Sequence, residues 1–344
     1  MADLVSGRAR RAPMPAVAVA VFDTAGVLAS AVHGTADLTT GRAVTADCWW
    51  DLASLTKVLV TLPEVLDLAV PRDRPIASFW PRAAGRPIGG ATLDDLLSHR
   101  SGLPPDAPFY RTLSGAAILE AALDTTPSRP EAVYSDIGYI VLGALVSDLT
   151  GSSLATLAAR RTGLRLGSLE PAAATSPEPA ASTSLEPAVA TSLEPAVATS
   201  LEPAVATERC SWRGRVIVGE VHDENAWAMG GVSGHAGAFG TLSLVAASAR
   251  PWLASGTPPC LATNPAGERF AAGWWLHPTR GIGGPRSAPD SFGASGFVGN
   301  RVWFEPSRGY GVAVLSNRVH PTRIDRAPFA SWCADLFGTL ADLF

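Results

Sequence analysis

Cysteines, charged residues and long apolar runs are all scarce in this sequence of 344 residues. Its four cysteines lie far apart and form no Cys-x-x-Cys pair, which is typical of a reducing compartment, so we expect a cytoplasmic protein. Charged residues make up 17% of the chain, the net charge is −4 and no Lys/Arg run occurs, so we expect no nucleic-acid partner. No apolar run reaches the ~18 residues that cross a bilayer, so we expect no membrane partner either.

The N-terminal residues combine arginines with an apolar run over 16–22, as a secretory signal peptide does. Prolines precede this run, however, and Asp23 ends it. Residues 23–26, Asp-Thr-Ala-Gly, predict a turn between strands 16–22 and 27–33. Cleavage there would remove a hairpin that the core needs, and we expect no signal peptide.

Strand patterns occur towards both ends of the chain, and helical patterns lie between them. The clearest helical segment covers 137–149, which Gly151 ends as a C-terminal cap. Strand patterns return over 271–276, 296–304 and 309–316, and helical spacing follows over 327–344. This order predicts an α+β fold, with an antiparallel β-sheet flanked by N- and C-terminal helices and an inserted, mostly helical lobe.

We assign residues 12–60 and 265–344 to the sheet lobe and residues 61–264 to the helical lobe. The helical lobe contains five tandem octads over 168–207, three of them identical copies of Ser-Leu-Glu-Pro-Ala-Val-Ala-Thr. A proline in every copy suits neither a continuous helix nor a central strand, and the period is too short for a solenoid. We interpret the octads as a surface insertion, mostly disordered or extended, that takes no part in the functional site.

The segment Ser54-Leu-Thr-Lys57 is the main candidate for chemistry. If a helix begins at Ser54, positions i and i+3 share one face, so the Lys57 amine can reach the serine hydroxyl. A serine needs an adjacent base to become a nucleophile, and a lysine supplies one if burial lowers its pKa. The helix start also directs N–H groups to where an oxyanion would form. The apolar pattern continues to about Val70 but contains Pro63, so we expect a kink or a restart there.

Other interpretations of these residues are weaker. Alone, a Ser-x-x-Lys pair is also explained by a helix-capping serine and a solvated lysine. The run His222-Asp-Glu224 with His235 suggests a metal site, but no His-Glu-x-x-His or similar spacing occurs, so we expect no metal. No serine lies in Gly-x-Ser-x-Gly, which argues against an α/β-hydrolase elbow.

Six ordered segments together resemble the serine β-lactamase and penicillin-binding-protein superfamily, and most closely its class C β-lactamase-like serine hydrolases and esterases. The superfamily motifs are Ser-x-x-Lys, a second triplet led by Tyr or Ser, and Lys-Thr-Gly. The matching segments are 51–57, 96–104, 134–143, 219–226, 231–237 and 314–321. Apart from the octads and the extreme N-terminus, the resemblance covers nearly the whole chain.

The resemblance implies a role for each matching residue. Ser54 corresponds to the family nucleophile, Lys57 to its base, and Tyr134 to the second proton-transfer group, which serves the leaving group and later the deacylating water. The second triplet usually ends in Asn but here ends in Asp136. A carboxylate only accepts hydrogen bonds, so we expect Asp136 to hold Lys57 and to stabilise the charge of its amine.

The third motif departs from the family pattern at its first position. Ala294 stands where Lys or His is usual, which removes a group that helps to bind a substrate carboxylate. If this alignment is right, the side chain of Ala294 faces the cleft beside Ser54. Ser295 and Gly296 match the rest of the motif, and the resemblance implies that the N–H groups of Phe297 and Ser54 form the oxyanion hole.

We therefore expect a serine hydrolase that forms an acyl-enzyme on a small-molecule ester, amide or β-lactam and uses no cofactor. The expected intracellular location and the missing cation favour esterase or peptidase activity over antibiotic defence. The alternative is a catalytically silent relative that serves as a binding or scaffold protein. The departures at Asp136 and Ala294 and the octads are the reasons for considering it. The sequence leaves the oligomeric state open.

Overall fold

The computed structural model describes residues 1–169, 204–257, 262–278, 282–323 and 325–344. The strands in these ranges are β1 Ala16–Phe22, β2 Val27–Asp37, β3 Arg42–Ala43, β4 Trp50–Asp51, β5 Arg165–Leu166, β6 Ala206–Cys210, β7 Arg215–Val218, β8 Ala238–Gly240, β9 Ala262–Thr263, β10 Arg269–Ala271, β11 Trp274–Leu276, β12 Phe292–Gly296, β13 Asn300–Glu305 and β14 Tyr310–Ser316. The α-helices are α1 Ala2–Ala9, α2 Leu62–Leu66, α3 Leu93–Leu97, α4 Ala116–Leu123, α5 Asp136–Thr150, α6 Leu154–Thr162, α7 Glu224–Ala228, α8 Leu242–Ser255 and α9 Ala327–Ala341. Short 3-10 segments cover Ile76–Ser78, Pro81–Ala83, Pro87–Gly90, Phe109–Arg111 and Pro306–Arg308.

Nine strands form one antiparallel sheet in the order β3-β2-β1-β14-β13-β12-β11-β10-β9. The N-terminal hairpin β1–β2 thus lies beside the C-terminal strands, with Val17 opposite Ser316 and Phe22 opposite Gly311. The predicted hairpin and the return of strands near the C-terminus are confirmed. The predicted antiparallel α+β architecture is confirmed with them.

The two faces of the sheet bury different sets of side chains, because successive residues of a strand point to opposite sides. Val17, Val19 and Val21 of β1 belong to a cluster that also contains residues of α1 and α9. The alternate positions of β1, Ala18 and Ala20, belong to the larger core shared with the remaining helices. The terminal helices therefore cover one face, and the helices from the middle of the chain cover the other.

The helix after Ser54 is irregular, as its proline predicts. It begins with a π-helical turn over Lys57–Thr61, in which the N–H of Leu62 donates to the carbonyl of Lys57, and continues as α2. Pro63 has no N–H to donate, and its ring crowds the carbonyl four residues earlier, so a wider turn directly before it relieves that contact. The helix then ends at Leu66, short of the predicted end near Val70.

Helix α5 carries two candidate residues at its start. Ser135 caps it by accepting the N–H of Gly138. Gly151 ends it in the left-handed conformation, as predicted. Apolar residues on every side bury it in the core, which fixes Tyr134 and Asp136 at one end of the helix. No single helix in the described ranges is long and apolar enough to cross a membrane, although α5 and α6 together, bent by 84°, reach that length.

The end of the octad segment belongs to the fold. Ala204 forms a bridge with Trp49, the N–H of Val205 donates to the Trp49 carbonyl at 2.8 Å, and β6 begins at Ala206. The predicted surface insertion is therefore wrong for residues 204–207, because this last Ala-Val-Ala-Thr copy pairs with Trp49 and is buried as extended chain. Octad residues 170–203 lie outside the described residues.

Candidate active site

A buried carboxylate shapes the turn that presents Ser54. Asp51, at the end of β4, accepts the N–H of Ala53 on one oxygen and the N–H of His222 on the other, both at 2.7 Å. Ala53 has a φ of +46°, a left-handed conformation that costs an alanine energy and that its surroundings must impose. The clamp by Asp51 supplies this constraint and places Ser54 directly before the helix.

The side chain of Lys57 joins three groups. Its Nζ donates to Ser54 Oγ at 3.0 Å and to the carbonyl of His235 at 3.0 Å, and it lies 2.6 Å from Asp136 Oδ1. The predicted approach of Lys57 to Ser54 is confirmed. Burial lowers the pKa of Lys57, but the charge of Asp136 and the neighbouring Tyr134 raise it by more. The pKa of Lys57 therefore lies above its ordinary value.

The charge of Lys57 changes the expected chemistry. A lysine can act as a base only if its pKa is lowered, for example by burial. In this site the Asp136 carboxylate raises the pKa of Lys57 and opposes the effect of burial. Asp136 therefore favours the ammonium form of Lys57 in the absence of substrate. The structure places Asp136 in contact with Lys57, where it can hold the lysine as expected.

The composition of the chain also singles out Lys57. The chain contains 27 Lys and Arg residues, and Lys57 is the only lysine among them. Arginine is always protonated in proteins, whereas a lysine can gain and lose its proton when its surroundings change. Lys57 is therefore the one basic side chain other than histidine in this chain that can gain and lose a proton in the physiological range.

Tyr134 lies against Lys57 and a buried histidine. The Tyr134 ring centre is 5.0 Å from Lys57 Nζ, and its ring packs on His99 with 4.4 Å between centroids. His99 Nδ1 accepts the N–H of Ser135 at 3.1 Å, which ties the start of α5 to the end of α3. Burial, assisted by the charge of Lys57, lowers the pKa of His99 to about 3, so this histidine stays neutral beside the ammonium. In the sequence, only its place in the matching segment 96–104 marks His99 as a candidate.

Strand β12 presents a different residue to the cleft from the one predicted. Ser295 pairs with Arg301 of β13, and both line the cleft that contains Ser54. Ala294 pairs with Val302, and both lie in the core, Ala294 with 4% of its surface exposed. The prediction that Ala294 faces the cleft is therefore wrong, because strand alternation directs it to the sheet face that packs on the helices.

The end of β12 lies very close to the Ser54 turn. A Cβ added at Gly296 would lie 2.6 Å from the carbonyl oxygen of Leu52, so only glycine allows this approach. Phe297 follows directly and also lines the cleft. The close contact brings the backbone predicted to form the oxyanion hole next to Ser54.

Two of the four candidate metal-binding residues, Asp223 and His235, are hydrogen-bonded to each other behind Lys57. His235 Nε2 lies 2.8 Å from Asp223 Oδ1, and His235 Nδ1 lies 2.8 Å from Ser233 Oγ. Burial opposes the charge of His235, but Asp223 raises the pKa of His235 above its ordinary value. The histidine is thereby held so that its carbonyl receives Lys57. No cluster of His, Cys, Asp or Glu suited to a metal ion occurs in the described part of the chain.

The cleft above Ser54 has a volume of about 610 Å³ and is lined by both halves of the fold. Tyr134 and Asp136 contribute from the start of α5, and Ser295, Gly296 and Phe297 contribute from β12 and the loop after it. Every candidate site residue except Ala294 and the buried Lys57 thus borders this cleft. An arrangement of this kind can hold a carbonyl compound against the Ser54 hydroxyl, with a cation and several proton-carrying groups nearby.

Comparisons with known proteins agree with this architecture. The chain is 28% identical over 262 residues to the N-acetylmuramyl-L-alanine amidase of Bacillus subtilis (strain 168), an alignment that covers 67% of this chain and spans only 57% of that relative. The solved structure of a D-alanine carboxypeptidase from Burkholderia cenocepacia matches with a TM-score of 0.65 and 16% identity over 98% of both chains. The hydrolase EstCE1 matches with a TM-score of 0.62 and 18% identity over 98% of both chains. The Beta-lactamase family model matches residues 1–331, so this protein belongs to the beta-lactamase family.

Proposed function

We propose that this protein is a serine hydrolase that cleaves an ester, amide or lactam through an acyl-enzyme on Ser54. The observation that carries the proposal is the contact of Lys57 Nζ with Ser54 Oγ at 3.0 Å, in the floor of a cleft. The names of similar proteins, an amidase, a carboxypeptidase and a hydrolase, support the same reaction class.

The charged state of Lys57 requires one proton transfer before acylation. We propose that substrate binding excludes water and that Lys57 then gives a proton to the Asp136 carboxylate, 2.6 Å away. The neutral amine takes the proton of Ser54 as Oγ attacks the carbonyl carbon. Tyr134 protonates the leaving group and recovers its own proton from Lys57. In deacylation the same groups take a proton from water and return one to Ser54.

The N–H groups of Ser54 and Phe297 complete the proposal as the oxyanion hole. The close approach of Gly296 to the Ser54 turn supports this role, since it brings the two backbones together. Donors fixed by the fold need no rearrangement when charge develops on the substrate oxygen.

A fluorophosphonate probe followed by intact-mass measurement tests the nucleophile. We expect one adduct on the wild type and none on Ser54→Ala, while Ser211→Ala, a matched change at an exposed serine, keeps the adduct. Lys57→Arg retains the positive charge but cannot give up a proton, so it should lose turnover of a p-nitrophenyl ester. Labelling that survives Ser54→Ala would place the nucleophile elsewhere.

The pairing of Lys57 with Asp136 also favours a second candidate, a catalytically silent binding protein. A lysine kept charged by a fixed carboxylate would hold Ser54 as a hydrogen-bonded surface group without activating it. Turnover of the p-nitrophenyl ester by the wild type and its loss in Lys57→Ala would dismiss this candidate. Absence of both labelling and turnover in the wild type would favour it.

A further inference from the structure

Both backbone N–H groups that flank Tyr134 are bonded to His99. The N–H of Val133 donates to the His99 carbonyl at 2.8 Å, and the N–H of Ser135 donates to His99 Nδ1 at 3.1 Å. The imidazole ring also packs on the Tyr134 ring, with 4.4 Å between the centroids. One residue just beyond α3 therefore contacts the residue before Tyr134, the residue after it and its side chain.

The backbone of His99 adopts a conformation that is uncommon for a residue with a side chain. Its φ is +57°, in the left-handed region, which histidine and asparagine adopt more readily than most other residues. Such a conformation persists only where the surrounding structure imposes it, and it often lies at a functional site. In His99 it directs the carbonyl and the imidazole towards the same segment, residues 133–135.

The bond with Ser135 also determines which nitrogen of His99 carries the proton. A backbone N–H can only donate, so Nδ1 must be unprotonated and the neutral ring carries its proton on Nε2. Nε2 is buried and has no hydrogen-bond partner among the described residues. Burial, together with the charge of Lys57, lowers the pKa of His99 to about 3. Nδ1 therefore remains an acceptor for the Ser135 N–H near neutral pH.

The sheet holds the Tyr134 ring as well. Trp275 of β11 stacks on it, with 5.7 Å between the centroids and 21° between the planes. Phe270 of β10 lies 4.4 Å from the Trp275 ring and 5.4 Å from the His99 ring, centroid to centroid. The four rings thus form a closed cycle that joins the end of α3 and the start of α5 to two strands of the sheet.

The position of Tyr134 matters because its proposed role is proton transfer. Its ring centre lies 5.0 Å from Lys57 Nζ, and its hydroxyl must reach both the amine and the leaving group. A displacement of about 1 Å in such an arrangement can cost about 10²-fold in rate. A tyrosine side chain that lines an open cleft swings freely unless its ring and its backbone are both held.

We propose that His99 is the positioning residue for Tyr134, and that it holds the tyrosine hydroxyl where the leaving group of the substrate departs. The inference rests on the proposed hydrolysis at Ser54 and adds the residue on which proton transfer by Tyr134 depends. His99 is only 2% exposed and does not line the cleft, so it acts through Tyr134 and not on the substrate.

Two esters that differ in their leaving group test the proposal. p-Nitrophenyl acetate releases a stable phenolate, whereas p-nitrobenzyl acetate releases an alkoxide that must be protonated as it departs. The ratio of their kcat/KM values reports this protonation, because kcat/KM covers only the steps up to acylation. Tyr134→Phe should lower kcat/KM for the benzyl ester by about 10²-fold or more relative to the phenyl ester.

Variants of His99 should change the same ratio. His99→Gln loses the acceptor at Nδ1 and should lower the relative rate of the benzyl ester by about tenfold or more. His99→Asn tolerates the positive φ and places a carbonyl oxygen near the position of Nδ1, so it loses only the ring contact and should lower the relative rate by about two- to tenfold. His33→Gln, at an exposed histidine of β2, is the matched control and should change nothing.

The pattern of losses distinguishes positioning from a general structural role. In the Tyr134→Phe background, His99→Gln should change the ratio no further, because its effect passes through the tyrosine hydroxyl. Equal losses on both esters in His99→Gln, or an additional change of the ratio in the double variant, overturn the proposal. If His99→Gln does not fold, His99→Asn decides the question, and a wild-type ratio in that variant has the same consequence.

A nuclear Overhauser measurement separates this proposal from the proposed hydrolysis. The chain has one lysine and four tyrosines, so labelled lysine and tyrosine give few signals, and Tyr134→Phe assigns the relevant one. We expect a cross-peak between the Lys57 ε protons and the Tyr134 ring in the wild type and its loss in His99→Gln, whereas the cross-peak to Tyr139, whose ring centre lies 5.7 Å from Lys57 Nζ, is kept.

The outcomes of this measurement are independent of turnover. Loss of the Tyr134 cross-peak in His99→Gln, in a protein whose Ser54 takes no fluorophosphonate, would overturn the hydrolysis and keep the positioning role. Normal ester turnover by the wild type with a cross-peak that survives His99→Gln would do the reverse.

Discussion

Replacing Asp136 with asparagine should lower the pKa of Lys57 and move the pH profile of the enzyme with it. Asp136 Oδ1 lies 2.6 Å from Lys57 Nζ, where the lysine side chain is 2% exposed and the aspartate side chain 24% exposed. At that distance and an effective dielectric constant of ~20, the attraction is on the order of 6 kcal/mol. Asparagine has nearly the same size but no charge. Burial, which opposes the ammonium form, then dominates.

The expected change is large even after allowance for solvent near Asp136. At 1.36 kcal/mol for each pH unit, half of the Coulomb attraction already corresponds to a fall of roughly two in the pKa of Lys57, and the full attraction to about twice that. The fraction of neutral amine at pH 7 then rises by roughly 10²-fold or more. If Lys57 must be neutral for acylation, the acidic limb of kcat/KM for a neutral ester should move to lower pH by the same amount.

The single lysine makes the measurement direct. Labelling with [13C]lysine gives one Cε signal, and its titration reports the pKa of Lys57 in the wild type and in Asp136→Asn. Asp106→Asn is the matched control, because Asp106 lines the same cleft without contacting Lys57. A Cε midpoint that stays within one pH unit of the wild-type value would refute the reasoning. So would an acidic limb that does not move when the midpoint does.

The free energy of unfolding should depend on pH through the same pair, Lys57 and Asp136. In the wild type the folded-state pKa of Lys57 lies above the unfolded value of ~10.4, so its stabilisation is complete below that pH and is lost as the pH rises through the folded-state value. In Asp136→Asn this stabilisation shrinks, since the folded-state pKa falls towards the unfolded one. The free energy of unfolding of the variant should therefore fall less steeply above about pH 10 than that of the wild type, which chemical denaturation at a series of pH values can measure.

Three further predictions follow from the geometry. Ala294→Lys should lower the melting temperature strongly, by an amount equivalent to roughly 3 kcal/mol or more, because it buries a charge, whereas Ser295→Lys in the cleft should be tolerated. The free energy of unfolding of the wild type should fall as the pH drops from about 6.5 towards 3, because His99 takes up a proton in the unfolded state but not in the folded state. His99→Asn should flatten this pH dependence. An unchanged slope in the variant would contradict a neutral His99. Deleting the three whole octads 176–199 should leave the melting temperature and ester turnover nearly unchanged, since closure entropy varies slowly with loop length, while deleting 200–207 should lower the melting temperature because Val205 pairs with Trp49.

The sequence by itself determined the features that depend on neighbouring residues. The apolar run 16–22 and the turn residues 23–26 define the hairpin, and Gly151 defines the end of α5, because turn and capping signals are local properties. The three-residue spacing of Ser54 and Lys57 is local in the same sense. It brings amine and hydroxyl together on any helix that begins there.

Only the tertiary structure decided which residues share the cleft and what charge they carry. The sequence Phe-Gly-Ala-Ser-Gly has no polar alternation that tells Ala294 from Ser295, so the facing residue depends on pairing with β13. The charge of Lys57 depends on Asp136, which is remote in sequence and 2.6 Å away in space. Pairwise electrostatic energies vary inversely with distance, and the distance between remote residues exists only once the chain is packed.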